Sequence, residues 1–173
     1  GSMAAYQLSE GGSDWRKVIT INTKTKQILD DTLRDVKFSG ISWKYNDGFY
    51  YSSYDKPKEG SQLSGKTQIH KLYYHTLGTP QSTDRLVFGG DATPRRYIGA
   101  YVTEDHNFLI ISAANATYGN ELYLQDLTKN DAPVVPIVTG FETEQSVEYA
   151  ENGKLYISTN KNAPNRRLVI VDA

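Results

Sequence analysis

The chain has 173 residues, 38% of them hydrophobic, with no cysteine and a net charge of −1 from 19 Lys and Arg against 20 Asp and Glu. That length suffices for one ordinary core or for part of a larger one. The charge balance excludes bulk attraction to nucleic acid or to an anionic membrane surface, and the missing cysteines exclude a disulfide framework, a thiolate metal centre and a cysteine nucleophile. No run approaches the roughly 18 apolar residues of a membrane span. GSM at residues 1–3 reads as a cloning scar rather than a signal peptide, which leaves residues 4–173 as the native part. A soluble chain, cytoplasmic or periplasmic, is expected.

In chain order the apolar segments are short, alternating and rich in Tyr, Val, Ile and Thr. YQLSE (6–10) and VITIN (18–22) come first, followed by ISWKY (41–45), FYYSSY (49–54), LYYHTL (72–77) and RLVFGG (85–90). IGAYV (98–102), LIISAA (109–114), LYLQDL (122–127) and PVVPIV (133–138) form a third set, and SVEYA (146–150), LYISTN (155–160) and LVIVDA (168–173) a fourth. Polar turns separate them, among them NDG (46–48), EDHN (104–107) and ENG (151–153), where Gly and Asn tolerate positive φ. No amphipathic helix of twelve or more residues stands out, and an all-β fold is expected.

The segments repeat. VITIN, LYYHTL, LYLQDL and LVIVDA begin 54, 50 and 46 residues apart, and a second series aligns on Ser9, Ser52, Ser112 and Ser158. Such a period suits the four-stranded blades of a propeller. The expected architecture is therefore a partial β-propeller of four-stranded antiparallel blades, with units at about 4–34, 35–90, 95–140 and 141–173, two complete and two partial.

GSQLSGKT (60–67) matches the phosphate-loop pattern letter for letter at Gly60, Gly65, Lys66 and Thr67, and LVIVD (168–172) imitates a metal-facing aspartate at a strand end. A working phosphate loop needs a strand entering its first glycine and a helix starting near its lysine. Here DKPKE precedes and a tyrosine-rich strand follows. The spacing from aligned serine to next strand is 20 residues in this unit against 9, 10 and 10 in the others, which makes the match part of an insertion of about ten residues between two strands of one blade. Ile69, Leu72, Tyr73, Thr76 and Leu77 also fit a helical spacing, but the fourfold repeat favours a strand. Nucleotide binding is not expected. His70, His75 and His106 are dispersed, so neither a metal site nor a Ser-His-Asp triad is anticipated and no cofactor is implied. Arg95-Arg96 and Arg166-Arg167 are too sparse for a nucleic-acid track.

GGSDW (11–15), DVKFSGISW (35–43), GFYYSSYDKP (48–57), HKLYYHTLGT (70–79), ISAAN (111–115) and APNRRLVIVD (163–172) together resemble the β-propeller of the prolyl oligopeptidases, in the same order and from about Ala5 to the end. The resemblance implies a piece of a seven-bladed propeller that sits over an α/β-hydrolase domain whose Ser-Asp-His triad cleaves short peptides after proline. No G-x-S-x-G nucleophile elbow occurs here, so this chain alone is expected to be catalytically silent. Its expected partners are that catalytic domain and short proline-containing peptides, with self-association through open blade edges a further expectation.

In the family the propeller excludes folded proteins, and a long mobile loop in the second of these units helps admit peptides. That loop corresponds to Lys58–Thr79, with Lys66 inside it and Lys71 matching a lysine that pairs with an acidic group across the lid. The resemblance also implies a pocket-lining aromatic at Tyr50, or at Phe49 if the alignment slips by one. For both aromatics the plain alternative is blade packing. After ISAAN this sequence has NATYGN, shorter and differently composed, so no pocket residue is transferred there. A reading from another class is a self-standing β-sheet binding module, which the sequence of the parent gene downstream of Ala173 would separate from a peptidase.

Overall fold

The computed structural model describes residues 1–55, 67–92 and 96–173. Apart from one short 3-10 turn, Gln81–Thr83, every regular element among them is a strand, and every strand pairing is antiparallel. The chain divides into two compact units, Gly1–Arg95 and Arg96–Ala173.

In the first unit, β1 (Met3–Ser9), β2 (Trp15–Asn22) and β3 (Ile28–Lys37) form a three-stranded sheet. A four-stranded sheet follows in chain order from β4 (Ile41–Lys44), β5 (Gly48–Ser53), β6 (Lys71–Thr76) and β7 (Arg85–Gly89). The second unit has a four-stranded sheet of β8 (Tyr97–Val102), β9 (Phe108–Ala114), β10 (Glu121–Asp126) and β11 (Val134–Val138), then a three-stranded one of β12 (Gln145–Glu151), β13 (Lys154–Thr159) and β14 (Arg167–Asp172). The all-β fold and the four-stranded antiparallel units read from the repeats are thus present. Residues 67–70 adopt no helix and lead directly into β6, so the helix that a phosphate loop needs after its lysine does not form.

β3 is the strand that periodicity did not disclose. Its sequence, ILDDTLRDVK, is interrupted by Asp30, Asp31, Arg34 and Asp35, and its ladder to β2 slips twice. Arg16 opposes Val36 while Val18 opposes Leu33, which leaves an extra residue in β3, and Asp35 there takes φ 55°. A bulge of this kind breaks the period of two by which strands are recognised. It also carries the strand through the expected unit boundary at residue 34 and on to Lys37. The peptide groups of Arg34 are closed by the Gln81 side chain, whose Oε1 accepts from Arg34 N and whose Nε2 donates to Arg34 O, both at 2.9 Å.

Each unit has its own core between its two sheets. Val18, Leu33 and Val36 meet Phe49 and Tyr51 in the first, and Phe108, Ile110, Leu122 and Leu124 meet Val147, Leu155 and Ile157 in the second. Fully burying one such aliphatic side chain stabilises the fold by about 1.5–3 kcal/mol. The second unit adds a polar fastening, because the Asn120 side chain pairs with the backbone of Gln145 like one more strand residue, Oδ1 accepting from N and Nδ2 donating to O at 2.9 Å each.

The turns follow different rules from one another. At Asn152-Gly153 both residues have positive φ, as a two-residue hairpin turn requires. In the other two hairpins the left-handed residues are Tyr45 and His106, not Gly48 or Asn107. Asp105 stabilises the second of these by accepting from Thr103 Oγ1 at 2.6 Å and from Asn107 N at 3.0 Å. Gly48 is needed for a different reason, since a Cβ there would stand 2.1 Å from the His75 carbonyl oxygen and 2.8 Å from the Tyr74 hydroxyl.

Gly48→Ala is therefore expected to cost about 1–3 kcal/mol or more through overpacking against backbone, whereas Gly99→Ala, where a Cβ meets nothing within 4 Å, should leave the melting midpoint nearly unchanged. Leu155→Ala, at a fully buried core position, should cost about 2–5 kcal/mol. Thermal and urea denaturation followed by circular dichroism measure all three.

Candidate functional site

The positions singled out by sequence cluster on β5 and β6. The rungs of the sheet set Trp43, Phe49 and His75 side by side, then Ser42, Tyr50 and Tyr74, then Ile41, Tyr51 and Tyr73. Alternate residues of a strand point to opposite faces. Phe49 and Tyr51 therefore face the core shared with β2 and β3, and Tyr50 lies on the other face with its ring 4.8 Å from that of Tyr74. Phe49 meets Trp43 edge-on at 5.1 Å and His75 at 5.3 Å. Phe49 is 0% exposed and Tyr50 2%. Burial, reinforced by the neighbouring Tyr74 and opposed by Arg85, pushes the Tyr50 phenol up to about 12, so it stays neutral at physiological pH.

Lys71 opens β6 opposite Ser53. Its Nζ donates to Asp55 Oδ1 at 2.5 Å, which joins the two strand ends where the insertion leaves and re-enters the sheet. That hydrogen bond raises the lysine pKa, against a smaller opposing effect of burial. Lys66 and the first part of the expected rim loop, residues 58–66, lie outside the described residues.

The histidines have separate tasks. His106 occupies its turn. His70 is 1% exposed, with Nε2 3.1 Å from the Lys37 carbonyl oxygen and its ring 4.7 Å from Tyr54, and burial holds its pKa below the ordinary value. His75 is buried between two carboxylates, Nδ1 at 2.8 Å from Asp84 Oδ1 and Nε2 at 3.3 Å from Asp31 Oδ1. Asp84 also accepts from the Tyr51 hydroxyl at 2.8 Å, and Asp31 from the Gly78 amide. Burial acts to lower the His75 pKa, but the hydrogen bonds and charges of Asp84 and then Asp31 outweigh it, and the net displacement is upward. Burial, and next the bond to Asp84, lift the Tyr51 phenol far above its ordinary range. Both imidazole nitrogens face carboxylates, so no serine hydroxyl is addressed and no triad is assembled at His75. Its carboxylates lie on opposite sides of the ring and do not converge on a common point, and among the described residues no group of three His, Asp or Glu is arranged to hold a metal.

Beside this network is a cleft of about 410 Å³, walled by Arg34, Tyr51, Tyr54, Tyr73, Gln81 and Asp84. The volume falls in the range of small-ligand pockets. Sequence reasoning missed it because one wall is the β3 bulge and another is the Gln81 turn. The acidic run in β3, set against the buried aromatic alternation of β5, was the available signal.

The chain matches the family model described as prolyl oligopeptidase, N-terminal beta-propeller domain, over residues 1–173. It is 60% identical to the prolyl endopeptidase of Elizabethkingia meningoseptica over 169 residues, covering 98% of this chain and 24% of that protein. It is 32% identical to prolyl oligopeptidase A of Amanita bisporigera over 195 residues, covering 99% of this chain and 26% of that protein. Among solved structures, a chain from a study of two prolyl endopeptidases and their inter-domain dynamics superposes with a TM-score of 0.91 at 30% identity, over 100% of this chain and 25% of that one. Prolyl oligopeptidase B from Galerina marginata gives 0.87 at 23% identity, over 99% of this chain and 26% of that one, a likeness of fold. The chain thus spans about a quarter of the length of the curated relatives it matches. Its strands and its whole length fit one description, and the chain belongs to the prolyl oligopeptidase N-terminal β-propeller family.

Proposed function

We propose that this chain is the non-catalytic propeller portion of a prolyl endopeptidase, which covers an α/β-hydrolase site and limits access to short peptides cleaved after proline. The observation that carries this reading is the 60% identity to a prolyl endopeptidase over nearly the whole chain. The sequence motifs, read independently, point the same way. In this reading the segment from Lys58 to Thr79 forms part of the rim that peptides pass, and Lys66 belongs to it. The contact of Lys71 with Asp55 supports a role in holding the ends of that rim together. The burial of Phe49 and Tyr50 favours blade packing for both over direct contact with a peptide. Tyr50 would then shape the neighbourhood of the substrate from behind rather than touch it.

Self-association follows from the same reading, because a partial propeller leaves sheet edges that missing blades would cover. β14 ends its sheet, and Leu168 and Ile170 on it are 59% and 57% exposed.

Three outcomes are expected. The purified chain should not hydrolyse a chromogenic Gly-Pro amide; hydrolysis abolished by a serine-directed phosphonate, with the added mass on this chain, would overturn the non-catalytic assignment. In the full-length parent, shortening the rim segment by about ten residues, to the length of the sister units, should change kcat/KM for long peptides severalfold more than for a dipeptide amide, with little loss of melting temperature. Equal effects on both substrates would refute the gate. Light scattering over a hundredfold dilution series should show mass rising with concentration, and Ile170→Lys should suppress the rise.

A further inference from the structure

We propose that His75 is a pH-dependent clasp between the first two sheets of this chain, tightening β3 against β6 while its imidazole is doubly protonated and loosening that contact when one ring proton is lost. The geometry separates the two contacts by what they join. Asp84 immediately precedes β7, so the Nδ1 contact lies within the β4–β7 sheet, whereas Asp31 is on β3 and the Nε2 contact crosses from one sheet to the other. The side chains are 1% exposed for His75, 8% for Asp31 and 2% for Asp84, so water does little to screen the charges or to replace a lost bond.

An imidazolium donates from both nitrogens and serves both carboxylates; a neutral imidazole has a single N–H. The shorter contact, 2.8 Å to Asp84 against 3.3 Å to Asp31, keeps that proton on Nδ1. Nε2 then presents a lone pair to a carboxylate oxygen across the sheets, which repels. Neither carboxylate is abandoned by the change, because Asp84 retains the Tyr51 hydroxyl and Asp31 retains the Gly78 amide. Loss of the proton therefore removes the His75–Asp31 link without leaving an orphaned buried charge, and because the Gly78 amide on Asp31 and the Gln81 bonds to Arg34 still join β3 to the second sheet, the response is a loosening of β3 rather than collapse of the unit.

The groups around the ring agree with this direction. Asp31 faces it from β3 and Asp84 from the approach to β7, Tyr51 of β5 reaches it through Asp84, and the Phe49 ring packs at 5.3 Å without charge. Arg34 and Asp35 line the adjoining cleft beside Asp84. The two carboxylates and their bonds to the ring favour the proton enough to overcome the burial that opposes it. A group whose pKa is raised by folding contributes stability that is full below its unfolded value, about 6.5, and that is lost as pH rises through the folded value. The clasp is closed in mild acid and opens on the alkaline side of 6.5.

The test uses the intact chain. It has three histidines, so NMR titration of their ring carbons resolves each. His75 is expected to titrate above about 6.5 and His70 below it, the Gly78 amide shift should move with the His75 midpoint, and the melting midpoint should fall across the same interval. In Asp31→Asn the His75 midpoint should drop, about tenfold in proton affinity for each unit of pH, and the fall in melting midpoint should shrink. A His75 midpoint at or below that of a free histidine would overturn the proposal. So would a raised midpoint to which neither the Gly78 amide nor the melting midpoint responds. Should Asp31→Asn fail to fold, the titration of the unsubstituted chain decides the matter.

Discussion

The first unit depends on β5, a strand in which six consecutive residues from Gly48 to Ser53 are buried. A central strand covered on both faces must place every side chain, and it does so by sending Phe49 and Tyr51 to one core while Tyr50 and Ser52 lie on the other face. The neighbouring strands then have no freedom of register, since a slip of one residue would exchange the two faces entirely. Gly48 sets the start of this arrangement, because only a residue without Cβ lets β5 begin so close to His75 and Tyr74. The chain between β5 and β6 leaves and re-enters the sheet near Asp55 and Lys71, whose side chains are in contact.

Aliphatic and aromatic burial holds each pair of sheets together, but polar side chains decide how they meet. In the first unit Gln81 closes the peptide groups of the β3 bulge, and Asp31, His75 and Asp84 bridge the sheets. In the second, Asn120 grips Gln145, and buried Glu121 gathers Arg96 at 2.5 Å, the Tyr123 hydroxyl at 2.7 Å and the Gly140 amide at 3.2 Å. Of these, the buried groups at His75, Asp31, Asp84 and Glu121 are costly when unpartnered and directional when satisfied, so they select one relative placement where apolar contact alone would accept several.

Much of the fold was legible because most strands obey the period of two and recur at a near-constant spacing. Where that regularity fails, reading from sequence fails with it. β3 was hidden by its bulge and its acidic residues, which the strand accommodates only because Gln81, about fifty residues away, and His75 are there to receive them. The turns at Tyr45 and His106 show the same limit: the residue with left-handed backbone is set by the strand registers on either side, not by which residue adopts it most easily.

By itself, the sequence determined the all-β class, the blade period, the position of the insertion and the family, because each of these is written in local alternation, in spacing or in motif order. It also favoured a strand over a helix after GSQLSGKT, and Lys71–Thr76 is that strand. Only the tertiary structure decided that Phe49 and Tyr50 are buried, that Lys71 pairs with Asp55, and that a histidine from β6 finds aspartates from β3 and from the turn before β7. Those facts depend on which side chains meet across sheets. Contacts between residues 44 positions apart leave no trace in a local pattern, because the distance between them is set by packing and not by the chain that connects them.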